Sequence, residues 1–208
     1  MKLKKGIALI MLIIGMVALV LKLKLRIELE DESITESVTR FLSYFTILTN
    51  LLTTIYFAFI FFSKNEKTIF HKPGTLTAIA AFMAFVGIAY HILLRHVWDP
   101  QGLTMILDET HHTIVPIATI LFWWFYEKSN LIKFKDLSRW ILYPVLYLTW
   151  ISIRGYISSF YPYYFVDANN LGTVKVIMNS LGLLVIIIMF LVIFYVIGEK
   201  IKTVANNV

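Results

Sequence analysis

Cysteine is absent from this chain of 208 residues, which excludes disulfides, thiolate nucleophiles and cysteine-ligated metals. Charge is scarce: 15% of residues are charged, against roughly 25% in soluble globular domains. Hydrophobic residues make up 59% of the chain and mean hydropathy is +0.76. Such a chain has too little polar surface to cover itself in water, so the bilayer is the solvent its composition fits. Ten-residue alternating strands are missing, which argues against a membrane barrel. Internal repeats and low-complexity tracts are missing too. No small-residue cleavage site follows the first apolar run; Lys22, Lys24 and Arg26 do, so this run reads as a retained helix rather than a signal peptide.

What is present is a series of apolar segments of spanning length, about 20 residues each. Six qualify: Gly6–Leu23, Phe41–Phe62, Leu76–Leu94, Ile106–Tyr126, Trp140–Phe160 and Val176–Gly198. The expected fold is an all-α integral membrane protein, a single six-helix transmembrane bundle over residues 1–208. Short loops make sequential helices antiparallel neighbours. Trp98, Trp123, Trp124, Trp140, Tyr161 and Tyr163 fall near span ends, where amphipathic rings favour the interface.

With six spans, both termini share a side with the second and fourth loops. That side carries Lys2, Lys4, Lys5, Lys64, Lys67, Lys72, Lys128, Lys133, Lys135, Arg139, Lys200 and Lys202, out of 19 basic residues. The other side carries Lys22, Lys24, Arg26, Arg40, Arg95 and Lys175, with the acids Glu28, Glu30, Asp31, Glu32 and Glu36. The asymmetry predicts cytoplasmic N- and C-termini. It also accounts for the net charge of +6 without nucleic acid, because the basic residues are split among short loops.

Polar groups gather towards the outer end. Thr46, Thr49, Asn50 and Thr53 follow i, i+3, i+4, i+7 spacing and share a helix face. Tyr90 and His91 close the third span; Asp108, Glu109, His111, His112 and Thr113 open the fourth. Tyr143, Tyr147, Trp150 and Arg154 form a stripe on the fifth, and Asn179 and Ser180 begin the sixth. Threonines in membrane helices often serve only as interhelical glue. Ionisable groups are costlier there and usually face a cavity or a partner, so Arg154 either snorkels or pairs with Asp108, Glu109 or Asp167. Two chemistries fit. A hydroxyl of Thr46 or Thr49 attacks an ester carbonyl with His111 or His112 as base, and Arg154, Asn50 or Tyr90 stabilises the oxyanion. Alternatively, Asp108 or Glu109 joins His91, His111 or His112 around a metal. Asp108–His112 and Glu109–His112 share a helix face, but one helix then supplies only two ligands. A lipid or small-molecule binding or transport protein is the non-enzymatic reading, and the lack of paired repeats counts against transport. No cofactor motif is present.

The stretch Tyr44-Phe45-Thr46-Ile47-Leu48-Thr49-Asn50-Leu51-Leu52 resembles the second-helix signature of the bacterial predicted six-transmembrane-protein family. The His-His-Thr-Ile-Val-Pro run ending at Pro116, Tyr143-Pro144, Arg154-Gly155, Tyr161-Pro162-Tyr163 with Phe165 and Asp167, and Leu171-Gly172 fit the same family. It is distantly similar to the eukaryotic androgen-induced membrane proteins, multipass hydrolases of fatty acid esters of hydroxy fatty acids. The resemblance implies a multipass lipid ester hydrolase of the bacterial plasma membrane, with a membrane lipid or fatty-acid ester as substrate. The family's second-helix threonine falls on Thr46, with Thr49 as alternative. Its histidine before a proline falls on His111 or His112.

Overall fold

The computed structural model describes residues 2–63, 68–97, 99–127 and 132–205, with side chains as far as residue 200. Trp98, Lys64, Lys67, Lys128 and the Lys202 side chain, which figured in the interface and charge arguments, lie outside the described residues. Among the described residues there is no strand. The helices are α1 (Lys2–Leu29), α2 (Ile34–Phe41), α3 (Phe45–Phe62), α4 (Thr75–Ala89), α5 (Gly102–Glu109), α6 (Val115–Tyr126), α7 (Phe134–Ser158), α8 (Ala168–Leu171) and α9 (Thr173–Ala205). A π-helical turn, Tyr90–Leu94, extends α4, and a second, Thr110–Ile114, joins α5 to α6.

Among the described residues, four helical stretches are long and apolar enough to cross a membrane: Lys2–Leu29, Phe45–Phe62, Thr75–Leu94 and Thr173–Lys200. The α5–α6 run and α7 are also long, but residues inside them lower their mean hydropathy: Asp108, Glu109, His111 and His112 in the first, Tyr143, Tyr147, Trp150 and Arg154 in the second. One boundary differs from expectation. Phe41 ends α2, a separate short helix capped by the Ser33 side chain, and α3 starts only after a turn at Leu42–Tyr44. The acids and hydroxyls before Phe41 favour this polar, capped turn over continuation of a spanning helix.

At the centre stands α4. Ala78, Ile79, Ala80, Ala81, Phe82 and Met83 are all fully buried, and the helix touches α3, α6, α7 and α9. Its small residues let neighbouring backbones approach, which matters in lipid because apolar surface alone gives helices no reason to associate. The outer helices show the converse pattern. Ile10, Ile13, Val17 and Val20 of α1, and Ile177, Leu181, Val185, Met189 and Ile193 of α9, are exposed apolar side chains. They would need hydrocarbon around them.

Long helices alternate in direction. At one end Lys22 meets Asp108, His91 meets Thr113, Arg154 meets Glu36, and Asn179 donates to the Phe165 carbonyl. At the other end Glu127 accepts from the Thr77 N–H (2.9 Å) and hydroxyl (3.1 Å). Trp123, expected as an interface anchor, is buried there and donates its indole N–H to Thr77. Lys4 over Tyr126, and Tyr195 against Phe134, put the beginning of α1 and the last turns of α9 at this same end.

Candidate functional site

Both π-helical turns face the polar end. In the first, the Arg95 N–H donates to the Tyr90 carbonyl five residues back, at 2.9 Å. In the second, the Val115 N–H bonds Thr110 in the same way. Pro116 explains part of this: it has no N–H for the His112 carbonyl four residues earlier, and its ring crowds that position. Gly87 of α4 lies opposite. A Cβ there would sit 3.1 Å from the His112 carbonyl oxygen, so glycine allows the two turns to meet. Tyr90 stacks on His112 with centroids 4.0 Å apart and planes 12° apart. Single π turns are frequent at functional sites.

Around this contact the ionisable groups are connected. Lys22 Nζ lies 3.1 Å from Asp108 Oδ1, and the carboxylate is 5% exposed. His112 donates its Nδ1–H to the Asp108 backbone carbonyl at 2.9 Å. Thr113 donates to Glu109 Oε2 (2.6 Å), so it accepts from His91 Nε2 (3.1 Å); His91 Nδ1 then accepts from Arg95 (3.1 Å), which also pairs with Glu109 (2.8 Å). The hydrogen bonds thereby fix the His91 tautomer. Asn50 donates its amide to the carbonyls of Thr46 (2.9 Å) and His111 (3.2 Å). His111 donates Nδ1–H to the Leu107 carbonyl at 2.6 Å. Three buried acceptors have no hydrogen-bond partner: Asp108 Oδ2, with the Tyr90 phenol beside the same carboxylate, Asn50 Oδ1 and His111 Nε2.

A narrow apolar slot of about 50 Å³ opens between α3, α4, α7 and α9. Phe85, Val86, Leu93, Pro144, Ile151 and Leu183 are among its walls, with Thr46, Tyr90, Tyr147 and Tyr163 as the hydroxyl-bearing residues. Thr46 lies within hydrogen-bonding range of the Tyr163 phenol; burial pushes that phenol up to about 12, against the pull of the Thr46 contact. Tyr147 donates to the Ser43 carbonyl at 3.1 Å. Thr49 faces Tyr143, hydroxyl to hydroxyl at 3.0 Å.

The sequence-derived residues therefore divide. Thr46 and Tyr90 line the slot, whereas His111, His112, Asn50 and Asp108 lie behind its wall and do not line it. His91 and Glu109 belong to the more exposed network with Arg95. Trp150 is 41% exposed and does not line the slot. Arg154 is paired, but with Glu36 at 2.7 Å rather than with Asp108, Glu109 or Asp167. Among the described residues no three His, Asp or Glu side chains are grouped to hold a metal. Sequence reading missed Lys22, treated as a loop charge, and Tyr163, treated as an interface ring. Lys22 was findable: Ala8, Met11, Gly15, Leu19, Lys22 and Arg26 share one helix face, and the first four are buried.

Comparison of the chain with family models, curated proteins and solved structures gives no match.

Proposed function

We propose that the chain is a six-span protein of the bacterial plasma membrane, with cytoplasmic termini, that takes a lipid or fatty-acid ester into the slot and hydrolyses it. The observation that carries this reading is Thr46, an aliphatic hydroxyl lining a slot whose other walls are aliphatic and aromatic side chains. Acyl chains suit the Phe, Val, Leu and Ile walls, and the ester carbonyl suits the end with the hydroxyls. Thr46 is the nucleophile in this scheme, and the Tyr163 phenol beside it is a donor for the oxyanion. His112, stacked on the slot residue Tyr90, is the candidate base. The resemblance to a family with a second-helix threonine and a histidine before a proline supports Thr46, with Thr49 as alternative, and one of His111 and His112.

A second reading rests on one specific feature. Neither histidine lines the slot, so Thr46 has no imidazole against it in this state. That favours lipid binding without chemistry. Incubating the purified protein with a fluorogenic long-chain ester decides between them. Hydrolysis lost in Thr46→Ala and at least tenfold weaker in His112→Ala is the expected result. Saturable ester binding without turnover in the unaltered protein leaves the binding reading and removes the hydrolase.

A further inference from the structure

A second concentration of charge adjoins the slot. Three guanidinium groups, Arg26, Arg40 and Arg154, meet two carboxylates, Glu32 and Glu36. Arg154 lies 2.7 Å and Arg40 Nε 2.6 Å from Glu36; Arg40 also pairs with Glu32, and Arg26 stands 3.4 Å from it. The cluster keeps one positive charge more than it neutralises. The other acids of this connection, Glu28, Glu30 and Asp31, are exposed to solvent. Two donors inside the cluster are unused: the Nε–H groups of Arg26 and Arg154 are buried with no acceptor. The Arg154 side chain is only 10% exposed. Tyr44 also meets Arg26, with Glu30 near that pair; the two unused guanidinium donors are still suited to an anion with several acceptor oxygens.

Phe160 lies under Arg40 (4.6 Å to the ring centroid) and Arg154 (5.4 Å). Tyr44 meets Phe160 and Tyr163 edge-on, at 6.3 and 5.7 Å. Tyr163 is the slot residue beside Thr46. Phe160, Tyr44 and Tyr163 thus form a run of ring contacts from the guanidinium groups to the cavity suited to acyl chains.

We propose that Arg26, Arg40 and Arg154 form a phosphate site that holds the head group of an anionic phospholipid whose acyl chain enters the slot. This names the substrate class and rests on the lipid-ester reading above. Glu32 and Glu36 compete with the phosphate for the same donors, which keeps the site assembled when no lipid is bound.

The test titrates the purified full-length protein in detergent with phosphatidylglycerol and with diacylglycerol of the same acyl chains, following bound lipid by native mass spectrometry. Both carry the same esters and tails and differ in the phosphate head group. Phosphatidylglycerol is expected to bind about tenfold more tightly. Arg154→Gln should abolish that preference. Glu36→Gln should increase it by freeing guanidinium donors, a gain that a misfolded variant cannot imitate. Equal affinity for the two lipids overturns the proposal, as does a preference unmoved by both substitutions. Inorganic phosphate binding as tightly as phosphatidylglycerol overturns the lipid source and assigns the site to a free anion. Thr46→Ala should leave the lipid preference intact. Failed ester turnover with an intact preference therefore sinks only the hydrolase, and lost preference with intact turnover sinks only this site.

Discussion

Asp108 keeps a carboxylate in a buried place because Lys22 lies 3.1 Å away and His112 shares its helix face. Removing one partner of a buried pair leaves an uncompensated charge, which costs about 3–5 kcal/mol, whereas removing both costs much less. Lys22→Met is therefore expected to lower stability by that order, and Lys22→Met with Asp108→Asn to recover most of it, as read from denaturant unfolding in detergent. Equal losses in the single and double variants would show that the pair is not coupled. Glu36 gives a residue-scale test by pH. The Arg40 hydrogen bond, aided by Arg154, holds its carboxyl below the usual value of 4.5. A depressed folded pKa means that its contribution is complete above the unfolded value and is lost as pH falls through the folded one. Thermal stability should drop on acidification below about pH 4.5, and Glu36→Gln should flatten that part of the profile. An unchanged acid limb in the variant would remove Glu36 from the account. Arg154 was legible as a paired residue because a charge at that depth needs a partner. Its partner was not, since Glu36 lies more than a hundred residues away and read as one acid among five in a loop.

Helices meet most closely where the side chain is missing. A Cβ on Gly15 of α1 would overlap the Thr54 hydroxyl of α3, which is committed to the Asn50 carbonyl at 2.8 Å. Gly15→Val should therefore separate α1 from α3 and cost about 1–3 kcal/mol, with Gly6→Val, in open space, as the near-neutral control. Similar losses in both would show that helix propensity rather than packing sets the effect. At this scale apolar length and the threonine spacing marked where helices run, because both depend on local period. The two π turns were not legible. They arise from Pro116 and from the mutual fit of Gly87, Tyr90 and His112, which no single segment displays. The break after Phe41 was missed for a related reason: an apolar run continues across it, while Ser33 starts a separate polar helix that closes at Leu42.

Across the whole molecule, the polar and apolar residues are arranged for a bilayer. Apolar side chains of α1 and α9 face outward; Asp108 and Arg154 are buried at the end that holds the slot, and Glu127 is buried at the other. The depth of the polar groups was legible because charge burial is expensive wherever it occurs. Which of them share a cavity was not, since Thr46 and Tyr90 line the slot whereas His112 stacks on Tyr90 without lining it. The account depends first on that end facing outward from six spans. Reporter fusions placed after Asp31, after Asn169, in the α3–α4 and α6–α7 connections and at the C-terminus measure this most directly. The predicted result is an outside signal at Asp31 and Asn169 and a cytoplasmic signal at the other three sites. A C-terminus outside, or Asp31 and Asn169 on opposite sides, would contradict both the span count and the placement of the slot in the outer leaflet.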